Sequence, residues 1–232
     1  MEFLPGYISI IFILTTLVTI WFFYMAAHSS SVVLVVLLAW IIIQGFVAST
    51  GYYTHTDSVP PRFVLNVWPA LLAIILLFVF PDGRRFIDKL DLQWLTLLHT
   101  VRVPVELVLY WLFLNGAVPQ LMTFEGRNPD ILCGLSAPFV AYYFFVKKKW
   151  GVKTAIAWNI VCLVLLFNIV INAILSAPFP FQQFAFDQPN IAVLYFPFSW
   201  LPCCIVPLVL FSHLATLRQL FREHSAKVYS NA

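Results

Sequence analysis

The sequence predicts an all-α, polytopic membrane bundle of seven transmembrane helices, with the amino terminus outside and the carboxy terminus in the cytoplasm. Three observations carry this prediction. The 232 residues are 62% hydrophobic and 10% charged, against about 45–50% and 25% for an average soluble domain. A water-soluble core of this length would leave large apolar patches exposed. The apolar residues gather in seven runs near 4–25, 32–50, 64–80, 93–114, 131–147, 152–175 and 191–217, most of them close to the ~20 residues that cross a bilayer. The basic residues alternate across those runs.

The first run follows Met1-Glu2-Phe3 with no preceding Lys or Arg. That is unlike the basic start of a cleaved signal, so a retained helix is expected. Pro81-Asp82-Gly83 closes the third run, Asn115-Gly116 the fourth and Lys147-Lys148-Lys149 the fifth. One side of the bundle collects Arg84, Arg85, Lys89, Lys147, Lys148, Lys149, Lys153, Arg218, Arg222 and Lys227. The other holds Arg62 and Arg127. The positive-inside rule puts the richer side in the cytoplasm. Trp21, Tyr24, Trp94 and Trp150 then fall at the inner interface, and Tyr7, Tyr52, Tyr53 and Trp68 at the outer one. The expected location is the cytoplasmic membrane, as one multi-pass domain over 1–232.

Within the fourth run lie His99, Arg102 and Glu106. At about 100° per residue, Arg102 sits roughly 60° and Glu106 roughly 20° from His99, so all three share one face. Tyr110 extends that face, and Pro104 interrupts the helical ladder between the charged residues by removing one amide donor. Charge at this depth costs about 2.5–3.5 kcal/mol per residue on insertion scales and calls for a partner or a wet cavity. Arg102 and Glu106, four residues apart, are expected to meet, either as a working site or as a packing clasp. Asn168 and Asn172 form a second pair at that spacing in the sixth run, fitting interhelical glue or the wall of a ligand site.

The outer loops supply the other candidates: His55 and Asp57 between runs two and three, and Glu125, Arg127 and Asp130 between runs four and five. These line an outer mouth, or Asp130 caps the fifth helix after an Asn128-Pro129 turn. A third outer loop, from Ser176 to Asn190, is rich in proline and phenylalanine and fits either a segment lying on the membrane surface or a cap over the bundle. Pro197, Pro202 and Pro207 predict a broken seventh helix.

Metal and cofactor sites are not expected. Cys133, Cys162, Cys203 and Cys204 lack ligand spacing and read as buried thiols. Only His99 among the five histidines falls deep in an apolar run, with His213 nearer the inner end. No nucleotide-binding or hydrolase motif occurs in a usable context, and without a soluble basic surface nucleic acid is excluded as the main partner.

Three function classes follow. The leading one is a small-molecule or ion transporter or binding protein, with a polar site around the fourth helix and a small polar or lipid ligand. The second is a membrane enzyme acting on a lipid or isoprenoid, with Glu106 and His99 as acid and base. The third is an accessory subunit docking through its charged face. The catalytic residues, ligand identity and oligomeric state are not encoded in any motif.

Overall fold

The computed structural model describes the backbone of residues 4–230 and the side chains of residues 4–225. Met1, Glu2, Phe3 and the Lys227 side chain lie outside the described residues. Every regular element among the described residues is helical: α1 (Gly6–Ala26), α2 (Ser31–Ser49), α3 (Val64–Val79), α4 (Pro81–Lys89), α5 (Leu92–Leu98), α6 (Arg102–Leu114), α7 (Ile131–Ala141), α8 (Val152–Ser176) and α9 (Val206–Ser230). Among the described residues, five helices are long and apolar enough to cross a membrane: α1, α2, the α5–α6 rod over Leu92–Leu114, α8 and the rod Leu201–Ser225. A sixth is counted if α3 and α4, bent by 93° at their junction, act as one. The apolar helix Ile131–Val146 is shorter. Outward-facing residues such as Val35, Ile42 and Phe46 on α2 are exposed, a surface suited to lipid and not to water.

Local chemistry sets the breaks. Pro81-Gly83 was expected to close a run as a turn, but Pro81 instead opens α4 at its first position, where its missing amide costs nothing. Gly83 makes the sharp bend possible, since a Cβ there would lie 2.4 Å from the Leu77 carbonyl oxygen. Asp91 then caps α5, accepting hydrogen bonds from the amides of Gln93 and Trp94. Asn115 and the left-handed Gly116 (φ +74°) close α6 as expected.

The seventh run departs from expectation. Residues 191–200 are not part of the long helix: a short 3₁₀ turn (Ala192–Leu194) leads into a cis Phe196–Pro197 bond. A π-turn (Leu201–Ile205) then feeds α9. Pro197 lacks an amide donor and disfavours helix at the preceding residue, so the rod begins only at Leu201. Its carboxy-terminal end runs past residue 217, where Arg218 and Gln219 bind the α4 segment.

Helix α2 clamps two carbonyls that prolines leave free. Pro69 has no N–H for the Leu65 carbonyl, and Gln44 Nε2 donates to it at 3.4 Å. Pro207 likewise has none for the Cys203 carbonyl, and Trp40 Nε1 donates to it at 2.8 Å. Trp200 returns the contact by donating to the Ile41 carbonyl at 2.8 Å. The first two bonds each replace one the helical ladder lost to a proline.

On the basic side, Asp88 of α4 accepts hydrogen bonds from Arg218 Nε at 2.9 Å and Nη2 at 3.1 Å, and pairs with Arg222. Gln219 donates to the Ile87 and Leu90 carbonyls. Burial alone would raise the Asp88 carboxyl, but the two arginines outweigh it and hold it below the usual value.

Candidate functional site

The site is organised by Arg102, which is 3% exposed. Pro104 cannot donate to the Thr100 carbonyl, and the chain tightens into a 3₁₀ turn (His99–Val101) just before Arg102. The guanidinium reaches three partners. Nη1 lies 3.1 Å from Asp130 Oδ1 and 3.4 Å from the Cys162 carbonyl of α8, and Nη2 is 3.2 Å from His213 Nε2 on α9. Gly134 lets α7 come this close: a Cβ there would meet the Val103 amide nitrogen at 2.9 Å and Arg102 Cβ at 3.2 Å. Asp130, one turn earlier on the same face, is thereby delivered to Arg102.

The expected Arg102–Glu106 pair is not formed among the described residues. Glu106 turns toward the loop before α7, where Asn128 Nδ2 donates to its Oε1 at 2.5 Å and to the Met122 carbonyl at 3.0 Å. Helical spacing permitted the contact, but the guanidinium is drawn instead to α7, α8 and α9. Asp130 does not cap α7 through its side chain; a fully buried cation is the stronger claimant. The Asn128-Pro129 turn is as expected, with Asn128 Oδ1 accepting from the Asp130 amide at 3.2 Å.

Behind Arg102 lies a pair of histidines. His99 and His213 stack with ring centroids 3.8 Å apart at 18°, and Trp158 meets His99 edge-on at 5.5 Å. Arginine only donates, so His213 Nε2 accepts and its ring proton sits on Nδ1. That proton faces Asn159 Oδ1 at 2.9 Å, and Asn159 Nδ2 donates to the Ala155 carbonyl at 2.9 Å. Both imidazoles are fully buried, and neither His99 nitrogen has a hydrogen-bond partner among the described residues. His213 was expected near one end of the seventh run, but the rod continues past it to Ser225, which puts His213 mid-rod and level with His99.

In front of Arg102 opens a cavity of about 420 Å³. Its walls are apolar: Val64, Val67 and Leu71 from α3, Leu166, Val170 and Ile174 from α8, Ile205, Val209 and Leu210 around α9, and Val105 and Leu109 from α6. Phe179 and Phe181 of the Ser176–Asn190 loop join the lining, so that loop caps the cavity. Polar groups enter at Arg102, Glu106, Asp130 and Asn190, each at least 96% buried. α3 packs on α4, α9 and the π-turn, while α8 packs on α9. Val64 of α3 and Phe167 and Ile174 of α8, all part of the lining, are also exposed residues, so the wall on this side is one side chain thick.

The remaining candidates lie elsewhere. Tyr110 leaves the polar stripe, its ring packing on Phe124 at 5.0 Å beside Glu125. Asn168 donates to the Arg127 carbonyl at 2.7 Å and Asn172 donates to Asn168 at 3.4 Å, tying α8 to the loop between α6 and α7. Arg127 itself sits over the Phe184 ring at 5.9 Å. His55, Asp57, Glu125 and Arg127 are exposed and none lines the cavity. All four cysteines are free and buried. No group of three His, Cys, Asp or Glu among the described residues could hold a metal ion. The residues that sequence reasoning missed are Asn128, Asn159, His213 and Asn190. His213 carried the plainest signal, an ionisable side chain in a long apolar run.

Comparison with curated proteins and with solved structures finds no match. A protein-family comparison does, over residues 61–221, which take in α3 to α8, the first two thirds of α9, the cavity and every polar group at its floor. The chain belongs to the family described as a domain of unknown function, DUF8737.

Proposed function

We propose that this protein binds a small amphipathic molecule within the bilayer, as a carrier or binding protein. The ligand's apolar body fills the cavity, and its polar head meets Arg102, Glu106 and Asp130. The cavity itself carries this reading: about 420 Å³ of apolar space ending in buried ionisable side chains. Such a combination is the usual form of a ligand site, and a cluster of intramembrane charges is hard to account for otherwise. The thin wall at α3 and α8 gives the ligand a route from the lipid. The enzyme reading has less support, because His99 lies behind Arg102 and does not line the cavity that Glu106 faces.

The topology that goes with this function has seven spans, amino terminus outside and carboxy terminus inside. α3 and the Ile131–Val146 helix, about 24 Å each at 1.5 Å per residue, cross by local thinning of the bilayer. α4 then lies along the inner surface with its exposed Arg84 and Arg85.

Thermal unfolding of the purified protein against a panel of long-chain amphiphiles and hydrophilic metabolites tests the reading. Stabilisation by one or more amphiphiles, lost on Val170→Trp, is expected. Stabilisation by hydrophilic metabolites alone would contradict it.

A further inference from the structure

The cavity floor also selects the chemistry of the head group; this rests on the reading of the cavity as an amphiphile site. The floor bears two carboxyl groups, Glu106 and Asp130, against one guanidinium. Glu106 Oε1 is occupied by Asn128, but Oε2 has no hydrogen-bond partner among the described residues. Asp130 Oδ1 is paired by charge with Arg102 Nη1 at 3.1 Å, off the direction of a hydrogen bond, so it too accepts none. Asn190 Oδ1 is a third unfilled acceptor on the same cavity, since that side chain spends its amide on the Ala173 carbonyl at 3.3 Å. Against these three acceptors stands one unfilled donor, Arg102 Nε.

A buried acceptor without a donor is costly, and a ligand that supplies the donor recovers that cost. An anionic head would do the opposite. It would bring a further negative charge to a site whose single cation among the described residues is already paired with Asp130, in surroundings where charges are poorly screened.

We infer that the ligand's head group is a hydrogen-bond donor without negative charge, an aliphatic alcohol or amine, held by Glu106 and Asp130. Carboxylate and phosphate heads are excluded by the same two residues. The apolar tail lies along Val170, Val67 and Val209 toward the thin wall at α3 and α8.

The test uses three probes of equal chain length, 1-decanol, decylamine and decanoate, with the full-length protein in nanodiscs of zwitterionic phosphatidylcholine. Dissociation constants are compared at equal membrane mole fraction. The alcohol or the amine is expected to bind at least about tenfold more tightly than the carboxylate, the difference one charge-assisted hydrogen bond makes. Glu106→Gln separates the two sources: it is expected to weaken the amine about tenfold while leaving the alcohol within about threefold. If decanoate binds as well as the other two, the head-group inference is overturned and the amphiphile cavity stands. If none of the three binds the unaltered protein, the cavity reading falls and the inference falls with it. The ranking of the three probes on the unaltered protein decides between these outcomes, even where the variant fails to fold.

Discussion

Arg102 and Asp130 belong to different helices, yet they meet at 3.1 Å with their side chains 3% and 6% exposed. This ion pair ties the α5–α6 rod to α7 and leaves Glu106 free for the Asn128 loop and the cavity. Breaking one side of a buried pair strands the other charge and costs about 3–5 kcal/mol. Arg102→Met and Asp130→Leu are each expected to destabilise by that amount, and the double variant to recover most of it. Denaturant unfolding of the four proteins as a double-mutant cycle measures the coupling; additive losses would show that the pair holds nothing.

Gly134 controls that pairing from one turn away. A side chain there would press on Val103 and Arg102, so Gly134→Leu forces α7 outward and opens the ion pair. The expected loss is about 1–3 kcal/mol, with Gly134→Ala milder. Melting temperature reads the order; Leu tolerated as well as Ala would count against the close approach.

Trp40 serves a carbonyl that only a proline leaves bare. Trp40→Phe removes the donor to the Cys203 carbonyl and is expected to cost about 1–3 kcal/mol. In a Pro207→Ala background residue 207 regains its amide, and the same Trp40 change is expected to cost less than half as much. An equal cost in both backgrounds would separate Trp40 from Pro207.

On the basic side of the bundle, Asp88 makes a pH-dependent contribution. Its carboxyl is held below the usual range by Arg218 and Arg222 against the opposing effect of burial. A depressed folded-state pKa stabilises above the unfolded value of about 3.9 and loses that contribution as pH falls through the folded value. Asp88→Asn is therefore expected to lower stability at pH 7, by about 1 kcal/mol for a partly exposed pair. The gap to the unaltered protein narrows as pH falls below the unfolded value and through the lower folded one. Melting curves from pH 7 to pH 3 test this, and a gap that widens with acid would reverse the sign.

The sequence made the stripe legible and left its partners obscure. Helical periodicity puts His99, Arg102 and Glu106 on one face because spacing along one helix is a local property. Which of them pair is not local. Asp130 is visible in the sequence only as a loop residue suited to capping, and nothing near it announces that Gly134 brings α7 onto Arg102. Hydropathy starts the seventh run ten residues before the rod begins; prolines at 197 and 202 shift the rod along the chain and leave His213 at its middle. The apolar cavity leaves no trace in composition, since its walls use the same Val, Leu and Ile as the lipid-facing surface. The breaks at Asn115-Gly116 and Asn128-Pro129 are legible because turn chemistry is local too.

Whether the cavity around Glu106 and Asp130 holds a small amphiphile is answered by native mass spectrometry of the protein released from its own membrane. One non-covalent adduct of small-molecule mass per chain is expected, absent when Val170→Trp fills the cavity in a protein that still folds. A chain that carries no adduct, or an adduct that survives the filled cavity, would show that the cavity is not a ligand site.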